Sequence, residues 1–219
     1  MKTMTEATAE GLRNLATTLK SRTNAESRWS PKLDAHEPSL QQAAADVSRF
    51  VSDIAAGAIP YWLTLTGIPG SGKTMLARQI YAESKKYNPG EASLWVPERQ
   101  TGALRDSDRR PYCIWLDATV FARKLKEGDY NLPESYGTDF LVVFDDLGAS
   151  RDKTDFVPEA IYRLASTRLR QWTVWTTNLT VQEIKDRLDP RIASRLLRDD
   201  NKFITLRCGD YALRRSNSS

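Results

Sequence analysis

Apolar residues along this chain change their spacing in a regular way. Leu12, Leu15, Ala16 and Leu19 fall at helical intervals and predict a weakly amphipathic helix over residues 5–20. Residues 21–39 are polar, contain Pro31 and Pro38, and read as a linker. Leu40, Ala43, Ala44, Val47, Phe50, Val51 and Ile54 then recur at three- and four-residue steps, a stronger helix that Gly57 and Pro60 stop. From residue 61 onward the period alternates. Short β-branched and aromatic runs at 61–66 (YWLTLT), 112–116 (YCIWL), 140–144 (FLVVF), 172–177 (WTVWTT) and 203–207 (FITLR) predict strands. Helical patterns separate them at 75–86, 118–127, 158–171, 181–187 and 191–198. FLVVF has no polar position, so that strand is expected to be buried on both faces, as in a parallel sheet. The whole pattern predicts a three-layer α/β domain over residues 40–219 with a mostly parallel central sheet, preceded by a short helical extension and linker over residues 1–39.

Composition narrows the function classes. The chain has 219 residues, 40% hydrophobic and 27% charged, as expected of a soluble globular protein with one domain and an appendage, or two very small domains. No apolar run reaches the ~18 residues of a membrane span, and the first residues hold no apolar core of a secretory signal. Cys113 and Cys208 cannot form a disulfide framework, and His36 is the only histidine, so Cys/His zinc sites are excluded. Histidine triads are all but excluded, since His36 would have to serve. These facts point to a reducing, cytoplasmic compartment.

The net charge of +4 is concentrated at one end: seven basic residues stand against three acidic ones from Arg191 onward, while residues 1–190 carry 25 of each sign. A basic end suggests a phosphate-bearing partner or simply a solvated face.

Gly67-Ile68-Pro69-Gly70-Ser71-Gly72-Lys73-Thr74 satisfies every fixed position of G-x-x-x-x-G-K-[ST], between a predicted strand and a predicted helix. Glycines let backbone N–H groups close around phosphate oxygens, and the helix N-terminus adds its positive dipole end. Lys73 would reach the β- and γ-phosphates and the Thr74 hydroxyl would ligate Mg²⁺. The buried run 140–144 ends in Asp145-Asp146, a costly pair unless it works at the sheet's C-terminal edge. Asp145 is expected to hold Mg²⁺ through water and Asp146 to orient and deprotonate the attacking water. An ordinary Asx turn is the alternative. Asn178, at the tip of strand 172–177, is suited to the γ-phosphate and lytic water, and equally to a turn. Arg191 and Arg195 share one helix face, either as donors to a phosphate or as a solvated basic surface.

Taken in order, Gly67–Thr74, FLVVFDDLG (140–148), WTTNL (175–179), RIASRL (191–196) and GDYALR (209–214) resemble the AAA+ ATPases of the DnaC/IstB type, the replicative helicase loaders and ATPase helpers of transposition. The resemblance spans residues ~40–214. It implies a P-loop NTPase fold of the AAA+ type, with the C-terminal lid absent or minimal. It also implies ATP and Mg²⁺ as ligands, and Asp146, Asn178 and Arg195 as catalytic carboxylate, first sensor and arginine finger donated to the next subunit. Arg191 would be a nearby helper, and Arg214 or Arg215 the second sensor. Three departures stand out. Tyr211 is followed by Ala212 where the family commonly has an arginine. The connection 87–111, with Arg99, Arg105, Arg109 and Arg110, is long. Residues 1–39 are too short for a full helicase-binding domain.

In the family's initiator-like branch the helix after the second strand lines a central channel. Here it carries Arg123, Lys124 and Lys126, which would bind DNA phosphates without reading sequence. Phe121 beside them is expected in the core. The resemblance implies an ATP-dependent homo-oligomer that loads a hexameric replicative helicase onto single-stranded DNA, in a bacterial or phage-infected cytoplasm. A transposition helper on duplex DNA, a P-loop kinase for a small metabolite and a non-hydrolysing binder remain as alternatives. The kinase leaves Asn178 and Arg195 unused, and intact Asp145 and Asp146 argue against the non-hydrolysing binder.

Overall fold

The structure, a computed structural model, describes residues 29–32, 38–87, 113–150, 156–198 and 200–209. The N-terminal helix expected over 5–20, most of the linker, the arginine-bearing stretch of loop 87–111 and the end from Asp210 onward lie outside these residues.

Helix α1 (Pro38–Ala56) buries Leu40, Ala43, Val47, Phe50, Val51 and Ile54, the stripe its spacing predicts; Ala44 is only half-buried. It ends in a Schellman motif. Gly57, at φ +66°, donates to the Ile54 carbonyl at 3.1 Å, and the Ala58 N–H reaches the Asp53 carbonyl at 2.9 Å.

Five strands follow: β1 (Trp62–Gly67), β2 (Cys113–Asp117), β3 (Leu141–Leu147), β4 (Trp172–Thr177) and β5 (Lys202–Leu206). Their helices are α2 (Lys73–Ser84), extended by a 3₁₀ turn (Lys85–Tyr87), then α3 (Ala118–Lys126), α4 (Leu132–Ser135), α5 (Phe156–Thr167), α6 (Val181–Arg187) and α7 (Pro190–Leu196). The single turn α4 had no sequence signal of its own. Strand and helix ends shift from the sequence expectation by up to four residues: β2 and β3 run on through the polar Asp117, Asp145 and Asp146, and the helix expected over 158–171 runs from Phe156 to Thr167.

The sheet is entirely parallel, in the order β2-β3-β4-β1-β5. Right-handed crossovers then dictate the layers. The step from β1 to β2 runs one way across the sheet and every later step runs the other. Helix α2 therefore lies on one face with α1, and α3 to α7 lie on the other. Side chains alternate accordingly: Leu141 and Val143 pack in the α1/α2 core, whereas Val142 and Phe144 pack in the opposite one. Aromatic rings tie both layers together. Phe50, Tyr61 and Trp172 meet edge-on at 5.2–5.3 Å on the first face. On the second, Trp62, Trp175, Phe144 and Phe121 form a chain with spacings of 5.6, 5.2 and 5.3 Å. Phe121 is thus core, as expected.

Arg168 is the one cation fully buried in the described core, at 0% exposure. Its guanidinium donates to the carbonyls of Tyr136 (3.0 Å), Asp139 (2.5 Å) and Trp172 (2.5 Å) and to Thr173 Oγ1 (3.3 Å). It therefore fastens the end of α5, the start of β4 and the turn before β3. No described helix is long and apolar enough to cross a membrane.

Candidate active site

Reversal of the crossover direction opens a crevice at the C-terminal ends of the central strands, beside β1. The predicted motifs converge there. Gly67 closes β1 at φ +151°, and a Cβ on it would meet the Leu206 carbonyl of β5 at 2.6 Å. Only glycine permits that approach. Gly72, at φ +89°, turns the chain into α2, whose first residues are Lys73 and Thr74. Ser71 and Lys73 are buried, while Ile68, Pro69 and Gly70 are exposed around the loop. Behind the loop the Cys208 thiol donates to the Ser71 carbonyl at 3.3 Å.

Lys73 Nζ donates to the carbonyls of Gly67 (2.9 Å) and Ile68 (2.7 Å) and to Ser71 Oγ (3.2 Å). Burial holds its pKa below the ordinary lysine value, against the opposing pull of Asp146, Cys208 and Asp145. Thr74 Oγ1 donates to Asp145 Oδ1 at 3.0 Å. A hydroxyl and a carboxylate so placed, beside a loop of inward-turning backbone, suit a hard divalent cation together with phosphate.

The pairing of β3 with β4 slips between Phe144 and Leu147. This bulge takes Asp146 out of the ladder and into a left-handed conformation, φ +62°. For a residue other than glycine that conformation is uncommon, though Asp is one of the side chains that adopt it, and such strain concentrates at functional sites. Thr176 fills the gap in the ladder. Its hydroxyl donates to Asp145 Oδ1 at 2.5 Å and accepts the Asp146 N–H at 2.8 Å. Asn178 Nδ2 donates to Asp146 Oδ1 at 2.9 Å. Hydroxyls also pin the turn around Asn178: Thr66 donates to the Leu179 carbonyl (2.8 Å), and Thr177 accepts the Leu179 N–H (3.0 Å) while donating to Leu147 (2.7 Å). Burial first, then the charges of Asp145 and Asp117, raise the Asp146 pKa above the ordinary aspartate value, against Lys73.

Two of these groups had no motif to announce them. Thr176 shares its face with Trp172 and Val174, so a polar residue at the end of an apolar alternation was the available signal. Asp117 caps α3, accepting from the N–H groups of Thr119 and Val120.

Arg191 and Arg195 lie on α7, capped by Asp189 with Pro190 in its first turn. Both guanidiniums stand over the ring of Tyr162 on α5, at 3.9 and 4.1 Å from its centroid. Arg191 Nη2 is ion-paired with Asp189 and Glu159, each at 2.7 Å. Arg195 Nη2 donates to the Tyr162 hydroxyl at 2.9 Å. On α3, Arg123 and Lys126 are exposed and Lys124 half-buried, all in the last turn. They sit at the end of α3 remote from the crevice, about 13 Å along a nine-residue helix. Arg214, Arg215 and Tyr211 lie outside the described residues.

A five-stranded all-parallel sheet in this order, with a phosphate loop after β1, acidic residues ending β3 and a polar tip on β4, is the AAA+ P-loop NTPase fold. Among solved structures, the chain is similar to DnaI, at TM-score 0.59 and 19% identity over 82% of this chain and 87% of that one. It is similar to the DnaC helicase loader at TM-score 0.56 and 23% identity, over 85% and 98%. The replication initiator DnaA, bound to AMPPCP and single-stranded DNA, matches at TM-score 0.58 and 17% identity, over 79% of this chain and 48% of its own. No protein-family model matches the sequence, and no curated protein is significantly similar to it.

Proposed function

We propose that this protein is an ATPase of DNA replication, a helicase-loader-like switch that assembles with itself around ATP. The observation that carries this reading is the single hydrogen-bonded network joining Thr74, Asp145, Thr176, Asp146 and Asn178 beside the phosphate loop. Gly67, Pro69, Gly70, Ser71 and Gly72 form the loop around the phosphates, and Lys73 exchanges its carbonyl partners for phosphate oxygens. Thr74 and Asp145 would hold Mg²⁺, whose charge would offset that of the phosphates. Asn178 keeps Asp146 aimed at the attacking water. Asp146 accepts that water's proton as its oxygen bonds to the γ-phosphorus, and the bond to the bridging oxygen breaks to leave ADP and phosphate. Arg195 of the adjoining subunit stabilises the charge that develops, so nucleotide state and assembly are coupled. Arg214 remains a supporting contact to nucleotide in this reading, while Arg191, bound by Asp189 and Glu159, supports α7 beside the finger.

Single-stranded DNA would lie against the end of α3, where Arg123, Lys124 and Lys126 offer phosphate contacts, and the partner would be a hexameric helicase. The resemblance to DnaC supports that choice of partner, and the resemblance to DnaA supports the choice of DNA. The small-molecule kinase reading gives no use to the bond between Asn178 and Asp146.

The test is capture of a hexameric replicative helicase by the tagged protein with and without ATP, alongside hydrolysis by wild type and Asp146→Asn. ATP-dependent capture and hydrolysis lost in Asp146→Asn are expected. Hydrolysis without capture would turn the assignment toward a transposition helper. Hydrolysis unchanged in Asp146→Asn would remove the catalytic reading.

A further inference from the structure

Arginine fingers present a problem of side-chain order. A guanidinium on a long flexible stem must be held in place without its charge being cancelled. On α7 the two arginines meet opposite fates. Arg191 is bound by two carboxylates: its Nε donates to both oxygens of Asp189 at 3.0 Å, and its Nη2 pairs with Glu159 at 2.7 Å. No carboxylate of the described residues is ion-paired with Arg195. Its guanidinium rests on the Tyr162 ring at 4.1 Å, gives Nη2 to the phenol oxygen at 2.9 Å and gives Nη1 to the Arg191 carbonyl at 3.4 Å. Its backbone is fixed as well. Asn201 Nδ2 donates to the Arg195 carbonyl at 2.7 Å, and Asn201 Oδ1 accepts the Trp62 N–H of β1 at 2.8 Å.

The geometry points to Tyr162 as the positioning residue of the finger: its ring and hydroxyl hold Arg195 in place while leaving its charge available to a neighbouring subunit's γ-phosphate. This rests on the finger role given to Arg195 above. Three features support it. A phenol accepts a hydrogen bond but, unlike a carboxylate, does not neutralise the cation. Pairing Arg191 with Asp189 and Glu159 relieves the repulsion between two guanidiniums sharing one ring. Arg195 Nε is buried without an acceptor, a standing cost that a phosphate oxygen would relieve if the side chain moved toward it. Tyr162 is half-buried against the core on α5, the next described helix after the strand that carries Asp145 and Asp146. The support of the finger therefore belongs to the rigid part of the subunit that donates it.

The test mixes subunits. Tyr162→Ala, Tyr162→Phe and Arg195→Ala proteins are assayed for ATP hydrolysis alone and after mixing with Lys73→Ala protein. Nucleotide affinity and thermal melting are measured on each. Tyr162→Ala is expected to bind ATP with unchanged affinity and to turn over roughly tenfold to a hundredfold more slowly, part of what a finger supplies. Mixing should restore it, because Lys73→Ala subunits bring an intact finger. Tyr162→Phe keeps the ring, so its loss should be smaller, about threefold to tenfold. A wild-type or higher rate in Tyr162→Ala would overturn the inference. So would a loss that Lys73→Ala subunits fail to rescue while they do rescue Arg195→Ala, since that pattern marks damage confined to the subunit's own site. Should Tyr162→Ala not fold, Tyr162→Phe decides by the same readouts, and a wild-type rate there overturns the inference. If Arg195→Ala itself is not rescued, the finger reading fails in a protein whose Tyr162 is intact, and the role of Tyr162 falls with it.

Discussion

The phosphate loop and the α7 patch each present a cation, and they hold it by related means. Lys73 is surrounded by two carbonyls and a hydroxyl. Arg195 rests on a phenol, an aromatic face and one carbonyl. In both places the partners are neutral, so the positive charge survives for an incoming anion. Arg191, one helical turn away, shows the contrast: Asp189 and Glu159 cancel its charge and make it a strut. Between the loop and α7, a cation's nearest partners separate the two groups proposed to meet phosphate from the strut better than exposure does, since Lys73 is buried and Arg195 only partly so.

Several substitutions would break or sharpen this contrast. The largest effects belong to Lys73 and Arg195. Lys73→Ala should abolish hydrolysis and weaken nucleotide binding. Arg195→Ala should lower turnover by about a thousandfold while leaving nucleotide affinity within a few-fold of wild type. Turnover and equilibrium nucleotide titration together check this, and a large affinity loss in Arg195→Ala would place it in its own subunit's site instead. Arg168→Met should cost stability rather than chemistry. Its neutral acceptors lie in the core, and leaving buried carbonyls unpaired should lower unfolding free energy by about 3 kcal/mol or more, read from urea midpoints.

Thr176→Val keeps shape but removes the donor to Asp145 and the acceptor for the Asp146 N–H. Turnover should fall about tenfold, with roughly 1–2 kcal/mol lost in stability. Arg191→Ala should do least. Its ion pair with Glu159 is half-exposed on both sides, at 50% and 49%, and such pairs contribute about 0–1 kcal/mol. If its turnover instead matched that of Arg195→Ala, the distinction between strut and donor would collapse.

How much of this was legible beforehand follows the range of the interactions. Local features read well. The strand–loop–helix turn at 67–74, the buried β3 run, the α1 stripe with its glycine stop, and the place of Asn178 at the tip of a strand all follow from residues a few positions apart. Contacts made across the fold did not. Thr176 bonds a residue 31 positions away, and Arg195 meets a tyrosine 33 positions away. The local pattern of β4 marks Thr176 only as a polar end to an apolar alternation, and nothing in α5 distinguishes Tyr162 from a core aromatic. The bulge at Asp146 was hidden for a similar reason. It is a property of register between β3 and β4, and register is set by pairing, not by the run FLVVF alone.

The aromatic chain running from Trp62 through Trp175 to Phe144 gives the molecule a built-in optical gauge. The two indoles lie 5.6 Å apart on β1 and β4, the strands that end in the phosphate loop and in Asn178. Rings locked at that spacing contribute a near-ultraviolet circular dichroism signal that disappears when side-chain packing loosens, even while helices and strands persist. Loss of the share of that signal that a Trp175→Phe variant removes would therefore report loosened packing between β1 and β4, without any label on the protein.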